Sequence, residues 1–153
     1  MNTTAKKILE LLAGTITEGW AGQHGAKVSV AEDPGHAVDL LTAGQQSGCA
    51  VVVFYMSDTP ASDIPGNTML DATIRVGVVQ KIGLEVRGGK RASPVMDKID
   101  KLRKFLAGNA EIEGLADPLA YSGMTPVQSA EGRALNGYAL SYTATYAYEV
   151  SSF

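Results

Sequence analysis

The segment "VRGGKRASP", residues 86–94, contains the charged side chains best suited to binding an anion. Arg87, Lys90 and Arg91 flank two glycines just before a predicted helix. The free N–H groups and the dipole of a helix N-terminus favour negative charge, so these cations could contact phosphate. However, the segment lacks the spacing of a P-loop, and paired glycines between a strand and a helix are also ordinary turn chemistry. Two interpretations remain: a turn alone, and a contact to an anion or a nucleic-acid backbone.

The other residues of chemically active types do not form a recognisable site. His24 and His36 are 12 residues apart and have no further ligand at a spacing typical of zinc. The spacing of Asp58, Asp63 and Asp71 does not match an EF-hand, and turn formation explains the first two more simply. None of the serines lies in a G-x-S-x-G elbow. We therefore predict no catalytic residues, no metal site and no cofactor, and expect a protein that is not an enzyme.

The composition is that of one ordinary globular domain. The chain has 153 residues, of which 45% are hydrophobic and 19% charged, enough to bury about two thirds of its unfolded surface. We expect a single domain over residues 1–153. The net charge of -3 argues against wholesale binding to nucleic acid or to an anionic membrane, although a local basic patch is compatible with it. Cys49 is the only cysteine and lies in an apolar segment, which predicts a buried thiol rather than a nucleophile.

No stretch of the sequence is typical of a membrane or export segment. The apolar run around Cys49 is far shorter than a membrane span requires. The opening "MNTTAKKILELLAGTITEGW" has the pattern of an amphipathic helix without the hydrophobic region and cleavage site of a signal peptide. The sequence therefore predicts a cytosolic protein with no membrane partner.

Alternation of apolar and polar residues predicts the strands. In "TMLDATIRVGVVQKIGLEV" one face holds Leu70, Ala72, Ile74, Val76 and Val78. "CAVVVFYM", residues 49–56, is apolar on both faces and so predicts a central strand. Shorter strands are predicted in "AKVSVAE", residues 26–32, and in "LAYSGMTPVQS". The intervening residues 57–67, "SDTPASDIPGN", lack periodicity and contain two prolines, which predicts a surface loop.

Three helices are predicted from apolar stripes and capping residues. The first covers residues 4–18. The second follows Asp33 as N-cap and ends near Gly44. The third lies in "ASPVMDKIDKLRKFLAGN", with Ser93 as N-cap, Pro94 as first helical residue and Gly108 at its end.

The order of elements, α-β-α-β-β-α-β-β, favours an α+β fold. Two consecutive pairs of strands favour antiparallel pairing, so we expect a mostly antiparallel, mixed sheet with two to three helices packed on one face. In the core we expect Val53, Ile74, Val76, Ile99 and Leu102 to be buried together.

The closing segment "LNGYALSYTATYAYEV", residues 135–150, predicts a long strand with four tyrosines on one face. From Tyr138 to Val150 it would extend roughly 43 Å, whereas a helix of about 14 residues covers only some 21 Å. One helix layer therefore leaves Tyr146, Tyr148 and Val150 near the end of the sheet.

Tyrosine is enriched at protein interfaces, so a neighbouring subunit is one expected cover for this end. The facing patch would then be the loop that contains Asp58 and Asp63, or an exposed edge strand. The alternative is that the strand bends, or that residues 109–117 fold over it.

The arrangement of segments resembles the tail terminator and minor tail proteins of long-tailed bacteriophages. The resemblance rests on an amphipathic N-terminal helix followed by "CAVVVFYMSD", "ATIRVGVVQK", "DKIDKLRKFLAG" and "GYALSYTATYAYEV". It implies a non-enzymatic protein that forms a hexameric ring, caps the tail tube and docks to the head connector. Such a protein would reside in the host cytoplasm during assembly and then in the virion tail. In its lumen, Arg87, Lys90 and Arg91 would contact the phosphates of passing DNA.

Two alternatives stay open. A head-tail connector or stopper subunit would belong to the same class of assembly. A small anion- or phosphate-binding domain, or an enzyme, built on the segment from Arg87 to Arg91 would belong to a different class.

Overall fold

The computed structural model describes residues 2–64, 67–82, 86–87, 90–91 and 94–149. The helices are α1 (Thr3–Ile16), α2 (Gly22–His24), α3 (Pro34–Ser47) and α4 (Val95–Ala107), and a π-helical turn, Thr17–Ala21, joins α1 to α2. The strands are β1 (Ala26–Ala31), β2 (Cys49–Ile64), β3 (Asn67–Gln80), β4 (Val86–Arg87), β5 (Lys90–Arg91), β6 (Ala120–Gln128) and β7 (Ala134–Glu149).

Five strands form the main sheet, in the order β1-β2-β3-β7-β6. β1 pairs with β2 in parallel, and the other neighbours pair antiparallel. β4 and β5 form a separate two-stranded ribbon. The structure thus confirms the predicted α+β class with a mixed, mostly antiparallel sheet.

The two faces of the sheet have separate apolar clusters. α1 and α4 pack on the face that carries Val51 and Val53, as predicted. α3 packs on the opposite face, against Val52 and Phe54, so the expectation of helices on one face does not hold for this helix. The physical reason lies in β2, because its apolar residues point to both faces and each face needs a cover.

The predicted core is confirmed. Val53, Ile74, Val76, Ile99 and Leu102 are all at most 1% exposed and belong to one cluster beneath α1 and α4. The stripe on α4 therefore docks on the face of β3 that the alternation indicated.

Two glycines allow α3 to lie close to the sheet. A Cβ atom at Gly44 would overlap the side chain of Ala50, and one at Gly77 would lie 2.8 Å from Leu41 Cδ1. Real Cβ atoms do not approach other atoms this closely. A larger residue at Gly44 would force the helix and the sheet apart, whereas one at Gly77 would require the Leu41 side chain to shift.

The prediction of a surface loop over residues 57–67 is wrong, because β2 continues to Ile64 and pairs with β3 from Asn67 onward. Register shifts occur between Tyr55 and Ser57 and between Pro60 and Ser62. β1 pairs with β2 only as far as Phe54, so the outer part of β2 is an edge strand. Proline is tolerated at an edge, and its presence therefore did not signal a break.

Several predicted element ends are shifted. α3 extends to Ser47 rather than ending near Gly44. Pro94 is the N-cap of α4 in an extended conformation, rather than its first helical residue, whereas Gly108 ends the helix as predicted. Ser93 lies outside the described residues.

Candidate interaction surfaces

A three-stranded extension of the sheet projects beyond both flanking strands. β1 stops pairing at Phe54, and β6 pairs with β7 only as far as Thr143. Beyond those points β2, β3 and β7 continue together over residues 58–64, 67–72 and 144–149, which we call the arm. The arm is long because the alternating patterns of β3 and β7 are long. Both strands exceed the usual length of about five to six residues.

The base of the arm is closed by contacts within the chain. Tyr146 is only 1% exposed. Asn2 Nδ2 donates a hydrogen bond to Tyr146 Oη at 2.8 Å, and the hydroxyls of Tyr55 and Tyr146 lie 3.0 Å apart. Leu115 forms an isolated bridge with Tyr146, and the Ala116 N–H donates to the Thr145 carbonyl.

The expectation that a neighbouring subunit covers Tyr146 is therefore wrong, and the alternative that residues 109–117 fold over the strand is confirmed at this position. Helices alone are too short to cover the strand, and an irregular segment and the residue before α1 complete the cover. Aspartate at Tyr146 would place an unpaired charge in the core, so Tyr146→Asp would test stability rather than association.

The other predicted interface residues remain candidates. Asp58 is exposed, and its carboxylate accepts a hydrogen bond from Tyr55 Oη at 2.6 Å. Burial, followed by this bond to Asp58, holds the pKa of Tyr55 above its usual range. Tyr148 is half-buried. Asp63 lies in β2 with its side chain outside the described part of the structure, and Val150 lies outside the described residues altogether.

The free edge of the arm is poorly suited to pairing with another strand. Residues 57–61 of β2 are all exposed. Pro60 lacks a backbone donor, and a register shift lies on either side of the stretch from Ser57 to Pro60. Prolines and bulges are devices that protect edge strands from adding a further strand. The arm is therefore expected to make contacts through its side chains.

The arm and the segment after β3 carry opposite charges. Residues 56–74 contain three aspartates and no lysine or arginine, whereas residues 81–104 contain eight lysines and arginines against three acidic residues. β3 connects these two regions, and its 14 residues place its ends roughly 43 Å apart. The arm is thus acidic, whereas the chain that follows β3 is predominantly basic in sequence.

The three predicted anion contacts lie in the β4–β5 ribbon. Val86 pairs with Arg91, and Arg87 pairs with Lys90. The backbone therefore brings Arg87, Lys90 and Arg91 together, as their spacing around two glycines suggested. Their side chains are outside the described part of the structure, and anion binding by them remains a prediction.

A surface cleft that sequence reasoning missed lies between the end of α4, the segment that follows it, and strands β6 and β7. Its volume is about 320 Å³. Its lining residues are Arg103, Leu106, Ala107, Ala110, Leu119, Tyr121 and Tyr142. Tyr142 was recognised as part of the tyrosine face, but the residues around it come from separate segments, and no local pattern unites them.

The histidines lie in different elements. The ring of His24 stacks on that of Trp20 with centroids 4.4 Å apart, and burial, with smaller contributions from Lys101 and Lys98, lowers its pKa. His36 lies in the first turn of α3, where its N–H donates to the N-cap carboxylate. Among the described residues, no cluster of three or more His, Cys, Asp or Glu is arranged to hold a metal ion.

The predicted burial of the single thiol is confirmed, because Cys49 is buried at the start of β2. This burial raises the pKa of the thiol, which disfavours the reactive thiolate.

In the part of the chain that the structure describes, no helix has both the length and the apolar character needed to cross a membrane. No protein-family model matches this chain, and no curated protein sequence matches it.

Proposed function

We propose that this chain is a non-enzymatic virion assembly protein, a tail terminator that forms a ring, caps the phage tail tube and docks it to the head connector. The observation that carries the proposal is the acidic character of the arm beside the basic character of the chain that follows β3. The α+β fold and the order of its elements agree with the resemblance in the sequence.

A ring requires heterologous contacts, in which two different patches of the same subunit meet. Oppositely charged regions of one chain favour such contacts and oppose the pairing of like regions. Because Pro60 and the register shifts disfavour strand addition, the arm would contact its neighbour through side chains such as Asp58.

The proposal names the partners and the location. Copies of this chain form the ring, which we expect to be a hexamer. The tail tube protein and the head connector protein bind its two sides. Arg87, Lys90 and Arg91 face the lumen and contact the phosphates of DNA without reading sequence. The protein acts in the host cytoplasm during assembly and remains in the virion tail.

The decisive experiment is deletion of the gene from the phage or prophage that carries it, followed by electron microscopy of the particles. Loss of a terminator yields overlong tails, and the intact gene supplied in trans restores the normal length. Tails of normal length beside unjoined heads would instead assign the chain to the connector or stopper role. Normal, infectious particles would contradict both assignments.

A second experiment addresses the lumen. A variant with Arg87, Lys90 and Arg91 all changed to Gln should still assemble tails but deliver DNA less efficiently, because the phosphate contacts are lost. If both assembly and DNA delivery were unchanged, the lumen assignment would be wrong.

A further inference from the structure

The cleft beside α4 has apolar walls and an open mouth. Leu106 and Leu119 are buried in its walls, and Ala107 and Ala110 complete its apolar lining. Tyr121 stands at its rim with 45% of its surface exposed, although it is a large and largely apolar side chain. An apolar group that entered the cleft would bury surface that is now in contact with water.

A fixed cation lies at the mouth of the cleft. One terminal nitrogen of the Arg103 guanidinium pairs with the Asp100 carboxylate, and the other donates to Tyr121 Oη at 3.3 Å. The guanidinium carbon also lies 5.6 Å from the centre of the Tyr121 ring. These contacts occupy two of the five N–H donors and orient the side chain, and the other donors remain for an incoming anion, which would compete with Asp100 for the guanidinium.

A buried hydroxyl in the cleft has no partner. Tyr142 is 3% exposed and lines the cleft, yet its Oη makes no hydrogen bond within the described part of the chain. Buried polar groups are nearly always hydrogen-bonded, and an unpaired one reduces the stability of the fold. Tyr146, four residues further along the same strand, is the contrasting case, because its buried hydroxyl contacts Asn2 Nδ2 and Tyr55 Oη. The Tyr142 hydroxyl is therefore a donor that an acceptor from outside the chain could satisfy at the floor of the cleft.

The chemistry of the cleft defines its occupant. The guanidinium and the phenol hydroxyl together offer donors to a carboxylate, while the leucine and alanine walls suit an apolar side chain. Small metabolites usually occupy enclosed pockets, whereas this cleft is open along one side and has the tyrosine and arginine content of protein interfaces. We propose that the cleft binds a segment of a partner protein in which an apolar side chain stands next to a carboxylate.

This site is independent of the proposed function, since it requires neither a ring nor a tail. The probe is a fluorescently labelled peptide, acetyl-Ser-Gly-Phe-Glu-Gly-Ser-amide, titrated with the full chain. Replacing Glu by Gln or Phe by Ser in the peptide should each weaken binding by about tenfold. Equal binding of all three peptides, or no saturation at about 1 mM protein, would overturn the proposal.

Two variants of the protein locate the site. Arg103→Gln should weaken binding of the parent peptide by about tenfold, whereas Lys104→Gln, a matched loss of charge at the next residue, should change it by less than about twofold. Tyr142→Phe should weaken binding by about threefold without lowering the urea midpoint, because it removes an unpaired hydroxyl.

A purely structural role for Tyr142 would instead change the urea midpoint and leave peptide affinity intact.

Inorganic phosphate serves as the competing anion. If phosphate displaced the labelled peptide as effectively as the unlabelled peptide does, the cleft would be a simple anion site and the proposal would be wrong.

Discussion

Ile99 is fully buried where α4 packs against the sheet. Replacing it with alanine removes apolar contacts and leaves a cavity, so Ile99→Ala should lower the free energy of unfolding by about 2–5 kcal/mol. Lys101→Ala on the exposed face of the same helix is the control and should change stability by less than about 0.5 kcal/mol. Urea unfolding of both variants measures the difference. A loss below about 0.5 kcal/mol for Ile99→Ala would mean that the helix does not dock there.

His24 makes the stability of the fold sensitive to acid. Burial lowers its pKa in the folded state below the ordinary 6.5, so the unfolded chain takes up a proton at a pH where the folded chain resists it. The free energy of unfolding should therefore fall as the pH drops below about 6.5. His24→Phe keeps a ring against Trp20 and removes the titration.

The measurement is the urea midpoint of both proteins at about pH 7.5 and about pH 5.5. The loss on acidification should be smaller for His24→Phe than for the parent chain. An equal loss in the two proteins would show that other groups account for the whole acid dependence.

Sequence alone predicted residues whose environment is set by the local pattern, and missed those set by distant partners. The burial of Ile74, Ile99 and Cys49 followed from apolar periodicity. The cover of Tyr146 did not, because its hydroxyl partners Asn2 and Tyr55 lie 144 and 91 positions away along the chain.

At the scale of elements, α3 is held close to the sheet by the absence of a side chain at Gly44. Alanine favours helix by about 1 kcal/mol over glycine, yet here its Cβ would overlap Ala50, and the resulting strain of about 1–3 kcal/mol should outweigh that gain. Gly14 in α1 is the matched control, because a Cβ there has no other atom within 4 Å.

Thermal unfolding of the two glycine variants tests this packing. Gly14→Ala should raise the midpoint, and Gly44→Ala should lower it. A rise for both variants would show that α3 can move away from β2 without cost.

The elements themselves were predictable to different degrees. The order of the major helices and strands and the inward face of β3 followed from the period of the apolar residues. Pro60 led to the wrong prediction of a loop. Proline disfavours the interior of a sheet but is compatible with an edge strand, and the position of the edge depends on the whole sheet. The face of the sheet on which α3 packs also depends on how the chain crosses the sheet.

For the whole molecule, the charge difference between the arm and the basic segment predicts association that depends on salt. Asp58→Asn removes a charge from the arm but keeps an acceptor for Tyr55 Oη. It should raise the protein concentration needed for oligomers by up to about fivefold, because an exposed charge pair contributes about 0.2–1 kcal/mol. Glu10→Gln, an equal loss of charge on the exposed face of α1, should have no such effect.

Sedimentation at low and high salt provides the measurement. High salt should weaken association of the parent chain and reduce the difference between it and Asp58→Asn. Association that is insensitive to both salt and Asp58→Asn would mean that the arm does not use its charge to contact a neighbour.

The position of β7 has a consequence for synthesis on the ribosome. β7 is the last described strand in the sequence, yet it lies inside the sheet between β3 and β6 and supplies Leu140, Tyr142 and Tyr146 to the core. Until these residues leave the exit tunnel, the nascent chain presents the unpaired edge of β3 and an apolar stripe of α4 that lacks its contacts with β7. Folding should therefore be completed only after β7 emerges, and the period before that is when the chain is most exposed to aggregation and proteolysis.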